Sequence, residues 1–422
     1  MTILTESYFI FNVNRTIMKQ PIHIILIGVL LCTFLPLRLS AQPEKGEAPA
    51  RDSLRISLLT CAAGEEIYTL FGHTAIRCEN LTRKTDVVYN YGVFDFSSGG
   101  FVLRFALGET DYRLDKGHTD YFAHAYYYYG RDIWQQVLNL TQEEKERLIA
   151  LLEENYRPEN RVYRYNFFYD NCSTRPRDKV EEAVEGSVDY GVDMEAPTTH
   201  TFRELVYRYS EGHPWSRLAM DLCLGSEADK PISRRTMQFV PFLLQADLTQ
   251  AQVVDSIGQK RPLVSQEGLL VKAMEKEKSR GDGLTPELCG WLCFAVTLLL
   301  TVHGFRRRKS LWGVDVFWLS AAGLAGCVLA FLVFLSQHPC MSPNYLLFVF
   351  HPLHLLGLAE VVYKERRGRL SLYQTANFII LTLFMMFWGT FPQEFPPTVV
   401  PLALCLWTRS LAHLVGVKRN RR

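Results

Sequence analysis

The sequence predicts an α+β domain outside the cytoplasm, followed by an all-α membrane domain of five transmembrane helices. Three observations carry this. Apolar residues crowd into the last third of the 422-residue chain. Basic clusters recur after every second apolar stretch there. An apolar run behind Lys19 opens the chain, and strand-like and helix-like segments fill the part between. The averages conceal this partition: 48% hydrophobic residues and a mean hydropathy of −0.02 look like an ordinary soluble protein. A formal net charge of +2, from 46 Lys+Arg against 44 Asp+Glu, argues against a protein built to coat nucleic acid. Ten Cys are too sparse for a disulfide scaffold, and 13% aromatic residues exclude a mainly disordered chain.

The first element is an export signal over residues 1–41, with Met18 as an alternative start. Lys19 precedes the apolar run Ile22–Leu35, and Leu39-Ser40-Ala41 supplies small residues for cleavage. Cys32 lies inside the apolar run and lacks the small residues that precede a lipoprotein cysteine. The outer domain is then expected over 42–286. Leu54–Leu59, Thr74–Cys78 and Asp86–Phe96 read as strands, with Glu79–Thr85 as a hairpin loop. Thr141–Asn155 reads as a helix whose Thr141 and Glu144 form a capping box. Thr174–Val184 reads as a second helix, and Val264–Lys278 as a charged helix leading to the membrane.

The membrane domain is expected over 287–422. Its spans are Leu288–Phe305, Val316–Leu335, Tyr345–Tyr363, Thr375–Phe391 and Val399–Val417, each near the ~20 residues that cross a ~30 Å hydrocarbon core. Basic clusters at 306–309, 364–369 and 418–422 follow the first, third and fifth spans; Ser336–Asn344 and Pro392–Thr398 carry no Lys or Arg. The positive-inside rule makes the basic side cytoplasmic. The expected location is the inner membrane, with the outer domain in the periplasm and the C-terminus in the cytoplasm.

Two motifs concentrate the chemistry. Phe71-Gly72-His73-Thr74 places a histidine at the start of a strand, and Asp170-Asn171-Cys172-Ser173-Thr174-Arg175 places a cysteine at a loop-to-helix junction. A helix N-terminus lowers a thiol pKa, and Arg175 and Arg177 are expected to add positive field there. A histidine brought close by folding completes an activated nucleophile. Cys61, Cys78 and Cys223 sit in apolar or strand-like contexts and read as packing, as do Cys289 and Cys293. His118, His124, His200 and His213 have no metal-ligand spacing, so no metal or cofactor is expected.

Gly72-His73, the run Tyr89-Asn90-Tyr91-Gly92, Tyr163–Phe168 leading into Asp170–Arg175, and Phe202-Arg203 together resemble the Lnb family of Bacteroidota. That resemblance implies a papain-like (circularly permuted NlpC-like) outer domain, in which His precedes Cys as it does in lecithin:retinol acyltransferase. It implies a lipoprotein N-acyltransferase. Cys172 takes an acyl chain from a phospholipid as a thioester, His73 serves as base and then acid, and the acyl chain passes to the N-terminal amine of a diacylglyceryl-Cys lipoprotein. Asn90, or failing it Asp86, is expected to orient His73, and Asn171 to supply oxyanion donors. Arg175, Arg177, His351 and His354 are the expected substrate-binding residues. Two other functions share these residues: a membrane-tethered NlpC-like Cys amidase or peptidase acting on cell wall, and a non-enzymatic envelope assembly factor.

Intramembrane polar groups are informative. His351, His354 and Glu360 fall on the third span, and Arg409 and His413 on the fifth, where either snorkelling or pairing with Glu360 is expected. Asp315 and Lys309 read as routine charges at span ends. Tyr126–Tyr129 reads as either a lipid-facing patch or a strand.

Overall fold

The computed structural model describes residues 53–94, 99–275 and 283–420; the expected signal over 1–41 lies outside them. The chain runs β1 (Leu54–Cys61), β2 (His73–Asn80), β3 (Thr85–Val93), α1 (Phe101–Leu107), β4 (Asp111–His118), α2 (Thr119–Tyr128), β5 (Ile133–Leu138), α3 (Gln142–Tyr156) and β6 (Val162–Arg164). It continues through α4 (Thr174–Ala183), β7 (Ser187–Asp189), β8 (Pro197–Thr201), α5 (Phe202–Tyr209), α6 (Pro214–Cys223), β9 (Pro231–Ser233), α7 (Arg234–Met237) and α8 (Pro241–Gln250). β10 (Gln252–Val254), β11 (Lys260–Pro262) and β12 (Val264–Val271) end the sheet-bearing part. The helices α9 (Pro286–Arg306), α10 (Trp312–Phe334), α11 (Leu353–Arg366), α12 (Leu372–Met386) and α13 (Val399–Asn420) follow.

A seven-stranded sheet, β12-β5-β1-β2-β3-β4-β6, organises the first part, and every pairing in it is antiparallel. β1 is an interior strand with seven of its eight residues buried. Leu148 and Leu152 of α3 and Val180 of α4 close one face against Ile56, Leu58, Ile76 and Tyr89. Phe122 and Tyr126 of α2 cover Leu59, Cys61, Ala75 and Val88 on the other. The capping box at Thr141 and Glu144 forms as expected. Tyr126–Tyr129 is the end of α2 and the residue after it, so the strand reading fails there. Tyr126 points inward, whereas Tyr127, Tyr128 and Tyr129 are exposed.

The expected charged helix Val264–Lys278 is instead the edge strand β12, registered against β5 from Val264↔Leu138 to Val271↔Ile133. Pairing to a strand already in place overrides its weak helical propensity. Its polar side chains are those of an exposed edge.

Among the described residues, four segments, all in the last third, are long and apolar enough to cross a membrane: Pro286–Arg306, Trp312–Phe334, Tyr345–Arg366 and Val399–Val417. The expected fourth span is only the 15-residue α12 and a 3₁₀ turn at Trp388–Thr390. At 1.5 Å per residue α12 measures ~22 Å. It still joins the two ends of the bundle: Ser371 before it bonds His413, and Gln393 beyond it bonds Leu224 of the sheet-bearing part and Asn344 of the loop after α10. The third span is broken, with a 3₁₀ turn at Tyr345–Phe348, an unwound stretch to Pro352, and then α11. Gly326 of α10 admits this break, since a Cβ there would lie 2.4 Å from the His351 backbone.

The two parts are stitched together by backbone. Gly225 N–H donates to Cys340 O at 2.7 Å and Ser226 N–H to Pro343 O at 2.8 Å. Asn344 Nδ2 reaches Leu222 O at 3.0 Å, and Gln337 N–H reaches Leu107 O at 2.8 Å. Just behind this seam the buried Arg203 (0% exposed) is held by Asp221 and Asp229 and by the carbonyls of Leu224 and Gly225.

Candidate functional site

The site sits at one end of the β1–β2–β3 ladder. β2 begins at His73, paired with Cys61 of β1. β3 carries Asn90, whose Oδ1 lies 2.6 Å from His73 Nε2. A carboxamide oxygen only accepts, so Nε2 holds the proton and Nδ1 keeps the lone pair of a base. Gly92 on the same strand fixes the third member. Its φ is +94°, and a Cβ there would meet Cys172 Cβ at 3.4 Å and His73 Cε1 at 3.7 Å. The absent side chain leaves the space between the cysteine and the histidine open. Asp86, the alternative orienting residue, pairs opposite Glu79 at the far end of the hairpin and is held by Arg77 at 2.6 and 2.9 Å and by Thr119.

Cys172 stands two residues before α4, on a loop closed by its neighbour. Asn171 Oδ1 accepts from the N–H groups of Ser173 (2.8 Å) and Thr174 (3.0 Å), and its Nδ2 donates to Phe167 O and Phe239 O. All of its capacity goes into shaping the loop, so the expectation that it donates to an oxyanion is corrected. Arg175 and Arg177 are corrected as well. Arg175 forms a bidentate pair with Asp170 at 2.6 and 2.8 Å and lies 3.6 Å over the Tyr163 ring. Arg177 is buried on Asp178, Gln238 and Arg235 O. Both are spent on the loop and neither is free to bind substrate.

The positive field at the thiol comes from Arg131, which sequence reasoning missed. Its Nε donates to Ala62 O at 2.7 Å and its guanidinium lies 4.6 Å over the Tyr126 ring. Its Nη2 is buried and unpartnered. Burial pushes the Cys172 thiol up to about 11, opposed by the backbone N–H groups of Thr74 and Cys172 and by Arg131. Burial also pulls His73 down to about 4, partly offset by the bond to Asn90, with Arg131 lowering it further. The resting pair is therefore neutral thiol and neutral imidazole. Such a pair suits proton transfer coupled to nucleophilic attack rather than a stored thiolate. Cys61 and Cys78 are buried and their thiols are raised to about 12, as fits the packing role expected of them.

The polar residues of the bundle divide. His354 uses both nitrogens, Nε2 with Val349 O at 3.0 Å and Nδ1 with the Tyr373 hydroxyl at 2.8 Å. It pins the broken span and is corrected from a substrate ligand to a structural group. His351 stacks on it, ring centroids 3.9 Å apart, with its own buried Nδ1 unpartnered. Arg409 pairs with Asp315, and His413 with Glu365, instead of Glu360; Asp315 is a buried partner, not a routine end charge. Among the described residues no group of three or more His, Cys, Asp or Glu is placed to hold a metal ion.

These features define a membrane protein whose sheet-bearing N-terminal domain presents a cysteine, a histidine and an asparagine together, ahead of a helical membrane domain. The Lnb N-terminal periplasmic domain matches residues 45–208, and the Lnb transmembrane domain matches residues 276–421. The chain belongs to the Lnb family. No curated protein and no solved structure matches it.

Proposed function

We propose that the protein is a cysteine-dependent lipoprotein N-acyltransferase of the inner membrane, with its C-terminus in the cytoplasm. The observation that carries this reading is the Asn90–His73 hydrogen bond beside Cys172, in a domain stitched to a membrane bundle. Cys172 Sγ attacks the ester carbonyl carbon of a phospholipid while His73 Nδ1 takes the thiol proton. Arg131 and the Thr74 N–H, which both favour the charged form of Cys172, are the groups that would stabilise the developing negative charge. The oxyanion collapses, the ester C–O bond breaks, and the lysophospholipid leaves with the proton held by His73. The N-terminal amine of a diacylglyceryl-Cys lipoprotein then attacks the thioester. His73 takes the amine proton and returns it to the departing thiolate, restoring Cys172. Thioester to amide is downhill, so no cofactor is needed. His351 contacts lipid ester or head-group atoms from the broken span. Basic clusters after α9, α11 and α13 support the orientation.

Mass spectrometry of lipoprotein N-termini from cells with and without the protein tests this reading. The expected result is an amide-linked acyl chain present only with the protein. Unchanged N-termini together with release of muropeptides would replace it with a cell-wall amidase.

A further inference from the structure

An apolar cavity lies apart from the cysteine, in the membrane domain. Between α6 of the sheet-bearing part and the membrane helices α10 and α13 is a cavity of about 410 Å³. Leu222 and Cys223 cap it, Ala321 and Ala325 form one wall, and Thr398 and Leu402 form the other. On α10 it extends from Trp318 to Leu329, ~16 Å along the axis at 1.5 Å per residue. That is about the depth of one leaflet of a ~30 Å hydrocarbon core. The alanines make the slot: larger side chains there would close it. None of its lining residues is charged, so nothing in it would attract a head group or hold ordered water.

One polar atom breaks the pattern. Thr398 is 4% exposed, lines this cavity, and its Oγ1 has no hydrogen-bond partner. It lies immediately before the first residue of α13, at the end of the bundle nearest the sheet-bearing part. A buried hydroxyl without a partner is rare and calls for one. An apolar slot one leaflet deep with a single donor at its shallow end has the form of one ester-linked acyl chain: a carbonyl oxygen where the chain begins and only methylenes below. We propose that this slot binds one ester-linked acyl chain of a bilayer glycerolipid, with the Thr398 hydroxyl donating to its ester carbonyl. The site is independent of the acyl-transfer reading and would hold lipid in a protein that transfers nothing.

The test uses the full chain in lipid nanodiscs, carrying Cys172→Ala so that turnover plays no part. One arm contains a phosphatidylethanolamine bearing a diazirine midway along its acyl chain; the other contains a diacylglyceryl-cysteine peptide labelled in the same way. Photolabel is expected to concentrate on Ala321–Leu329 and Val399–Leu406, above the outward-facing Leu299 and Leu356. Labelling in either arm supports the site, and the arm that labels identifies the source of the chain. Ala325→Trp fills the slot and is expected to cut that labelling ~10-fold, with Ala321→Phe as the substitute if it misfolds. Thr398→Val keeps the shape but loses the donor and should cut labelling ~5-fold, the worth of about one hydrogen bond. Label spread evenly over slot and outer faces in both arms would overturn the proposal. So would slot labelling unchanged by a folded filling variant.

Discussion

Two arginines, Arg409 buried and Arg131 half-buried, show how the halves of the molecule differ. In the membrane domain, Arg409 has every nitrogen engaged: Nε and Nη2 on Asp315, Nη1 on Thr301, and Nη2 also on Leu311 O. In the outer domain, Arg131 anchors Nε on Ala62 O and leaves Nη2 buried and unpartnered beside a thiol and an imidazole. The first arrangement satisfies a charge; the second holds one ready. An unpaired charge is costly in hydrocarbon, and Arg409 belongs to a closed network with Asp315, Thr301 and Gln374. An incomplete network at Cys172 marks where another molecule completes it.

The largest expected effect falls on the open side. Cys172→Ser or His73→Ala should lower N-acylation by at least ~10³-fold, and the double variant should do no worse than either, because the pair acts as one unit. With the amine acceptor withheld, wild-type Cys172 should carry an acyl group released by neutral hydroxylamine. Near-normal acylation by Cys172→Ser would remove the covalent step.

The two arginines should then fail in opposite ways. Arg409→Leu leaves Asp315 buried and unpaired, and should destabilise the bundle by ~3–5 kcal/mol; adding Asp315→Leu should recover most of that. Arg131→Gln should change thermal stability little and lower kcat by ~10–100-fold, the weight of one charged donor to an oxyanion. Matching losses of stability would erase the distinction.

The pH dependence sharpens it. His73 must be neutral to act as a base, and its pKa is depressed to about 4. Activity should therefore hold from neutral pH down to near 5 and fall only as pH drops through about 4. A thiol near 11 means that iodoacetamide labelling of Cys172 should rise about tenfold per pH unit between 7 and 9, since only the thiolate reacts. A plateau from pH 7 upward would reveal a preformed ion pair.

The smallest effect separates the stacked histidines. His351→Leu should reduce acyl transfer a few-fold without changing the melting temperature. His354→Leu should lower the melting temperature, because Val349 O and Tyr373 lose their partner at a loss of ~1–3 kcal/mol. Full activity in a folded His351→Leu variant would reduce that residue to packing.

What the sequence disclosed follows the reach of local signals. Cys172, His73 and Asn90 each sit in or beside a segment whose period or cap is plain, and the strand pairing brings them together. Arg131 meets the site only because β5 pairs with β1, and nothing near residue 131 announces that. Asn171 looked like a donor because its motif does not show that three groups of its own loop and the distant Phe239 carbonyl consume its amide. Arg175 was misjudged for the same reason, with Asp170 five residues upstream. β12 was misread because an exposed edge strand and a solvated helix face carry the same polar residues. Hydropathy joined the third span into one helix although Pro352, inside it, was a signal for the break.

The backbone stitching between Gly225–Ser226 and Cys340–Pro343 ties the domain that carries Cys172 to the membrane helices. On the acyl-transfer reading proposed above, a domain so tied would hold its thiol at one height, and the protein would measure. An amphiphile whose tails stay in the hydrocarbon offers its reactive group at a height set by its own head, and only groups that protrude to the level of the thiol come within reach. Selectivity of this kind needs no pocket shaped to a head group. It is the work of a ruler, graduated by the length of a loop and read from the membrane surface.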